Sequence, residues 1–151
     1  MDFKIVNLGK DYDGKIHDFG KIRNMFIEQL EENEWILWKS DDEEIPLGLI
    51  KIIETLNPTF PYYAIRRINL INGKYSSWGN PELYPGLVSN KVRYVGRLHE
   101  HINPRKPYGV IDYPIIHSVN GPRKYSSGWK ETKLYRPVMA IKKSIEIMRG
   151  R

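Results

Sequence analysis

Four consecutive acids, Asp41-Asp42-Glu43-Glu44, follow an apolar and aromatic run, Trp35-Ile36-Leu37-Trp38, with Lys39 and Ser40 between. The run is short and aromatic enough to be a buried strand. A buried strand that ends in clustered carboxylates delivers charge to one edge of a sheet, and in open α/β sheets that edge is where ligands bind. Adjacent carboxylates repel one another unless a cation or a basic ligand sits among them. Oxygen donors of this kind suit hard cations such as Mg²⁺ or Mn²⁺. The plainer reading is a solvated turn leading into a helix, because acids favour a helix N-terminus. His99, Glu100 and His117 stand at the ends of later apolar runs. Their plainer readings are a satisfied, partly buried histidine and a surface charge.

The elements that must position these groups are legible in outline. Residues 3–7 alternate as a strand, and 9–14 read as a loop. Asp18 is a plausible N-cap for a helix to about residue 32, with Phe19, Ile22, Met25, Phe26 and Ile27 or Leu30 at helical spacing and Asn33 as its stop. Pro46 opens a second helix over 47–56, which Asn57-Pro58 ends. Residues 64–71 form a strand, and Asn72-Gly73 signals a hairpin returning through 74–78. Residues 79–90, rich in Gly, Pro and Asn, are expected to be a surface loop able to move over a substrate. A strand starting near Val92 ends in His99-Glu100. Residues 104–107 form a basic loop, and 110–117 a strand that Pro114 marks as edge or bulged. Residues 120–129 read as a polar loop. A last amphipathic helix, about 134–149, offers a packing or partner surface, or a basic face that touches a membrane.

Several phrases resemble the GT-A fold, family-2 type nucleotide-sugar glycosyltransferases. The first is Glu34-Trp35-Ile36-Leu37-Trp38-Lys39-Ser40-Asp41-Asp42-Glu43, similar to the acidic motif closing a central strand of that family. In this alignment Asp42 takes the metal-binding second aspartate, Ser40 stands where the first is expected, and Asp41 where a small residue is expected. The second is Asp18-Phe19-Gly20-Lys21-Ile22-Arg23-Asn24, which implies Arg23 and Asn24 at the nucleotide-sugar pocket. The third is Tyr94-Val95-Gly96-Arg97-Leu98-His99-Glu100, which closes the acceptor side in the family. His117 fits a late histidine that completes the metal site, and imidazole suits Mn²⁺ better than Mg²⁺. The resemblance covers about residues 3–120. Relative to the family it lacks about two strand–helix units at the N-terminal side, so it implies a truncated, Rossmann-like GT-A mixed sheet flanked by helices.

The chemistry implied is inverting transfer of a sugar from a nucleotide diphosphate to an acceptor hydroxyl. Asp42, with Asp41 and His117, would hold Mn²⁺ or Mg²⁺, which neutralises the departing diphosphate. Glu100 would be the general base, with His99 as fallback. Arg23, Arg123 and Lys124 would meet phosphate, and Trp78 and Tyr84 would offer aromatic faces to a sugar. A homo-oligomer or a completing partner chain is expected, because mostly apolar parallel strands need neighbours on both sides.

Composition bounds the alternatives. The 151 residues make one domain the default. No run approaches the roughly 18–20 apolar residues that span a bilayer, and the first residues have no signal-peptide design, so a cytoplasmic protein, with membrane-surface contact as an option, is expected. The absence of cysteine removes disulfides and thiolate metal sites. Residues 1–46 hold 12 acids against 6 bases, and the remainder 6 acids against 18 bases. A basic body beside an acidic segment suits a diphosphate with its metal. It also suits a non-catalytic basic module for nucleic acid or an anionic surface, or a degenerate transferase subunit. No Walker-type glycine loop, nucleophile elbow or HExxH motif is present.

Overall fold

A computed structural model describes residues 1–77 and 80–119. Trp78, Arg123, Lys124 and the C-terminal helix expected from the sequence lie outside the described residues. The described chain is a mixed α/β fold. Its strands are β1 (Asp2–Val6), β2 (Glu34–Trp38), β3 (Glu43–Glu44), β4 (Tyr62–Ile71), β5 (Lys74–Tyr75), β6 (Glu82–Val88), β7 (Tyr94–Val95), β8 (His101–Ile102) and β9 (Gly109–Val119). Its helices are α1 (Leu8–Asp11), α2 (Phe19–Glu28) and α3 (Leu47–Thr55).

Seven strands form one curled sheet in the order β1-β2-β6-β4-β9-β3, with β5 returning against β4. The pairs β1–β2 and β4–β9 are parallel, and the pairs β2–β6, β6–β4 and β9–β3 are antiparallel. β7 and β8 form a separate two-stranded ladder. The period-2 alternation of β2 sends its side chains into two cores. Ile36 and Trp38 join Val6, Ile27, Tyr62, Val88 and Tyr94 under α2. Trp35 and Leu37 join Leu49, Ile53, Tyr63, Ile65 and Ile115 under α3.

The strand from Trp35, the helix starting at Asp18 and the Asn72-Gly73 hairpin all form. Asp18 caps α2 by accepting from the Lys21 amide at 3.0 Å, and the left-handed Asn33 (φ 67) follows it. Asn72 and Gly73 both have positive φ, as a two-residue hairpin turn requires. The largest difference falls on 79–90. From Glu82 to Val88 this stretch is a central strand, not a surface loop. Pro85 is accommodated where the β4–β6 register shifts between Tyr63 and Ala64, which matches proline's restriction to irregular strand positions. Residues 9–14 are also not wholly loop, because Asn7 caps the short α1. The strand expected before His99 shrinks to Tyr94–Val95. β9 bears out the bulge expected at Pro114, as its pairing with β4 shifts between Ile65 and Arg67. Among the described residues no helix is long and apolar enough to cross a membrane.

One close approach sets the geometry around α2. A Cβ on Gly20 would lie 2.7 Å from the Gly96 carbonyl oxygen, and the Gly20 amide donates to that oxygen at 3.0 Å. The loop leading to Glu100 is thereby held against the start of α2.

Leu37 is fully buried, whereas Ile5 on the edge strand is 43 % exposed. Leu37→Ala is expected to cost about 2–5 kcal/mol in urea unfolding, as for other large-to-small core changes, and Ile5→Ala less than about 1 kcal/mol.

Candidate functional site

On the α3 side of the sheet, the inward positions of β4 run Ile65, Arg67, Asn69, changing from apolar to polar toward the strand's end. Arg67 faces Glu82 of β6, and Asn69 faces His117 of β9, which in turn faces Glu43 of β3. These five polar side chains are all buried. A charge there survives only with partners.

The partners close into a ring. Arg67 Nη1 donates to Glu43 Oε2 at 3.1 Å, and Glu43 Oε1 accepts from the Ser40 amide at 2.8 Å. The Ser40 hydroxyl donates to Asp42 Oδ1 at 2.9 Å. Asp42 Oδ2 lies 3.0 Å from His117 Nε2, and His117 Nδ1 lies 2.7 Å from Asn69 Oδ1. The Asn69 amide nitrogen donates to Glu82 Oε1. Glu82 Oε1 lies 3.5 Å from Arg67 Nη2, which closes the ring. The Ser118 amide donates to the Asp42 carbonyl at 2.9 Å, pinning the acidic turn to β9.

The ring fixes the protons of His117. Glu82 is an acceptor when ionised, so the Asn69 NH₂ faces it and the amide oxygen faces the imidazole. An amide oxygen only accepts, so Nδ1 must carry the hydrogen. Nε2 then faces the Asp42 carboxylate, and two lone pairs cannot sit 3.0 Å apart without a positive charge between or beside them. A second proton on the ring supplies that charge, and so does a cation bound by both atoms. Three carboxylates (Asp42, Glu43 and Glu82) share the ring with one guanidinium, so the cluster is anionic even with His117 protonated. Asp42 is the opening, with its side chain 30 % exposed while that of His117 is 2 % exposed.

The electrostatics follow this layout. Burial alone would raise the Asp42 pKa, but the hydrogen bond and charge of His117 and the Ser40 hydroxyl outweigh it and hold the carboxyl at about 2. Burial would likewise lower the Arg67 pKa, and the charges of Glu43 and Glu82 more than reverse this. Burial pushes the Tyr84 hydroxyl well above its ordinary value, with Glu43 adding to the rise. The Tyr84 ring lies 5.1 Å from the Arg67 guanidinium carbon, on its face.

The site residues expected from the sequence divide into groups. Asp42 and His117 meet. Asp41 does not join them: its Oδ1 accepts from the Asn7 side chain at 2.8 Å and lies 3.7 Å from Lys10 Nζ. Among the described residues no three His, Cys, Asp or Glu side chains gather as a metal cage. Glu100 is 2 % exposed and accepts from Arg23 Nε at 3.2 Å. The Arg23 guanidinium also stacks 4.6 Å from the Trp38 ring centre. Glu100 is therefore held behind Arg23, and the pair ties α2 to the loop after β7. Asn24 spends its amide on both backbone groups of Tyr94, at 2.7 and 2.8 Å. His99 remains on the surface. Tyr84 lies buried beside Arg67, not open to a sugar. Sequence reasoning missed Arg67, Asn69, Glu82 and the bracing role of Glu43. A charged and an amide residue at alternating positions of an apolar strand were the available signal.

No protein-family model matches the chain, and no curated protein matches it.

Removing the guanidinium with Arg67→Met leaves Glu43 and Glu82 buried without their cation. It is expected to cost about 3–5 kcal/mol in chemical unfolding. The Asp42 pKa falls from 3.8 unfolded to about 2 folded, so its stabilisation is complete above pH 4 and is lost as pH falls through the folded value. Because the group is partly exposed, the loss is of the order of 1–2 kcal/mol. Asp42→Asn should remove that increment from the acid-unfolding curve.

Proposed function

We propose that the chain is a metal-dependent glycosyltransferase of the GT-A, family-2 type that moves a sugar from a nucleotide diphosphate to an acceptor hydroxyl. The observation that carries this reading is the approach of Asp42 Oδ2 to His117 Nε2, 3.0 Å apart, with Nδ1 of the same ring against Asn69 Oδ1. A partly exposed carboxylate from beyond the tip of an interior strand and a buried imidazole from 75 residues later in the chain meet here. The sequence resemblance supports the same pair. Ser40, standing where the family's first aspartate is expected, supplies a hydroxyl that orients Asp42 in place of a second charge.

The residues fit Mn²⁺ or Mg²⁺. Such ions are often held by one or two protein side chains, with waters and substrate phosphates completing the shell. Asp42 and His117 would be those ligands, and the imidazole favours Mn²⁺. When bound, the ion supplies charge to the departing diphosphate. The acceptor oxygen forms the new bond to the anomeric carbon as the bond to phosphate oxygen breaks, and the hydroxyl proton passes to a base. In-line displacement inverts that carbon. For that base the resemblance implies Glu100, with His99 as fallback; Glu100 is buried against Arg23 and His99 is exposed. The Arg23–Glu100 pair holds the loop that carries both.

A second reading has its own support. Within residues 91–106, Lys91, Arg93, Arg97 and Arg105 face solvent while Glu100, the one acid, is buried. That surface suits a non-catalytic module for a polyanion.

Thermal melting with Mn²⁺ and a uridine or guanosine diphosphate separates the two. The glycosyltransferase reading expects a melting temperature several degrees higher only when both are present, and no rise in Asp42→Ala. Of Glu100→Gln and His99→Gln, the one that removes the base should keep that rise while cutting sugar transfer about 10²–10⁴-fold. Oligonucleotide binding with a steep salt slope, and no response to Mn²⁺ with nucleotide, would replace the enzyme with the binding module.

A further inference from the structure

We propose that Asn69 is a positioning residue whose amide holds a proton on Nδ1 of His117, so that Nε2 is the nitrogen left to meet a cation beside Asp42. The inference rests on the metal reading above and adds a residue to it. A histidine beside a carboxylate ordinarily turns an N–H toward it, because that satisfies both groups. Here that choice would put the proton on Nε2 and occupy the lone pair a cation needs. Asn69 works against it from the other side of the ring, where its Oδ1 stands 2.7 Å from Nδ1.

The amide can enforce the choice only if it cannot flip, and Glu82, with Arg67 behind it, prevents a flip. Its NH₂ donates to Glu82 Oε1, a carboxylate that accepts and does not donate when ionised. Glu82 is held in turn by the Arg67 guanidinium at 3.5 Å. The backbone of Asn69 is clamped by Asn80, whose Oδ1 accepts from the Asn69 amide at 2.6 Å and whose Nδ2 donates to its carbonyl at 2.9 Å. The Asn69 side chain is therefore not needed to satisfy its own strand. It is buried between Glu82 and His117, and what it adds is direction. Metal-binding histidines commonly give their second N–H to such an acceptor, and losing it typically weakens metal binding about 10–100-fold.

The test is nitrogen-15 NMR of the imidazoles in the full chain labelled at histidine, with His117→Gln assigning the signal. In the wild type, Nδ1 of His117 should carry a proton. In Asn69→Leu the proton should move to Nε2, facing Asp42, and Mn²⁺ affinity should fall about 10–100-fold. Glu82→Gln, which frees the amide to flip, should mix the two tautomers. A wild-type ring with a bare Nδ1 overturns the proposal without recourse to any variant. So does an Asn69→Leu protein that keeps Nδ1 protonated and binds Mn²⁺ as tightly as wild type. A wild type that keeps Nδ1 protonated, loses that proton in Asn69→Leu and ignores Mn²⁺ upholds the role of Asn69 and defeats the metal reading, so the two fail separately.

Discussion

The guanidinium of Arg67, buried among Glu43, Glu82 and Tyr84, is the constraint on which the rest depends. A buried cation of this kind is tolerable only when oppositely charged groups sit against it. Glu43 and Glu82 meet that need from two different strands, one on each side of β4 and β9 in the sheet order. A slip of one residue in β6 would turn Glu82 to the other face and strand the charge. The register of the polar end of the sheet is thus set by charge, as the register of the apolar end is set by Leu37, Ile65, Leu87 and Ile115.

The same arginine reaches both halves of the candidate site. Through Glu43 it holds the Ser40 amide, and Ser40 directs Asp42. Through Glu82 it holds Asn69, and Asn69 directs His117. Two groups that could bind one cation are brought to 3.0 Å by arms that start on a single side chain. Such bracing limits side-chain motion before any ligand arrives, which is what precise coordination requires. The Arg23–Glu100 pair does comparable work on the α2 side, fastening the loop after β7 to the start of the helix.

The sequence made one arm of this visible and hid the other. The aromatic run at Trp35 followed by acids announced a strand ending in charge, and His117 at the end of an apolar stretch was readable as its distant partner. Asp42 and His117 were paired by the family resemblance, on which Asp42 takes the second aspartate and His117 the late histidine. Asp41 was grouped with them by adjacency alone, yet successive residues in a turn point apart, and it faces Asn7 and Lys10 instead. β6 was hidden because Pro85 and Gly86 suppress a strand signal, and the register shift that accommodates them is a tertiary event. With β6 went Glu82, and without Glu82 nothing marked Arg67 and Asn69 as more than the alternation of a hairpin strand. Glu100 was legible as a titratable group but not as a buried one, because its partner Arg23 lies 77 residues earlier.

The most direct test is electron paramagnetic resonance of Mn²⁺ bound to the chain with nitrogen-15 histidine and a nucleoside diphosphate. The account predicts one nitrogen-15 coupling in the wild type, retained when His17, His99 or His101 is replaced and lost in His117→Gln. A Mn²⁺ spectrum with no nitrogen coupling, or one unchanged by His117→Gln, would contradict it.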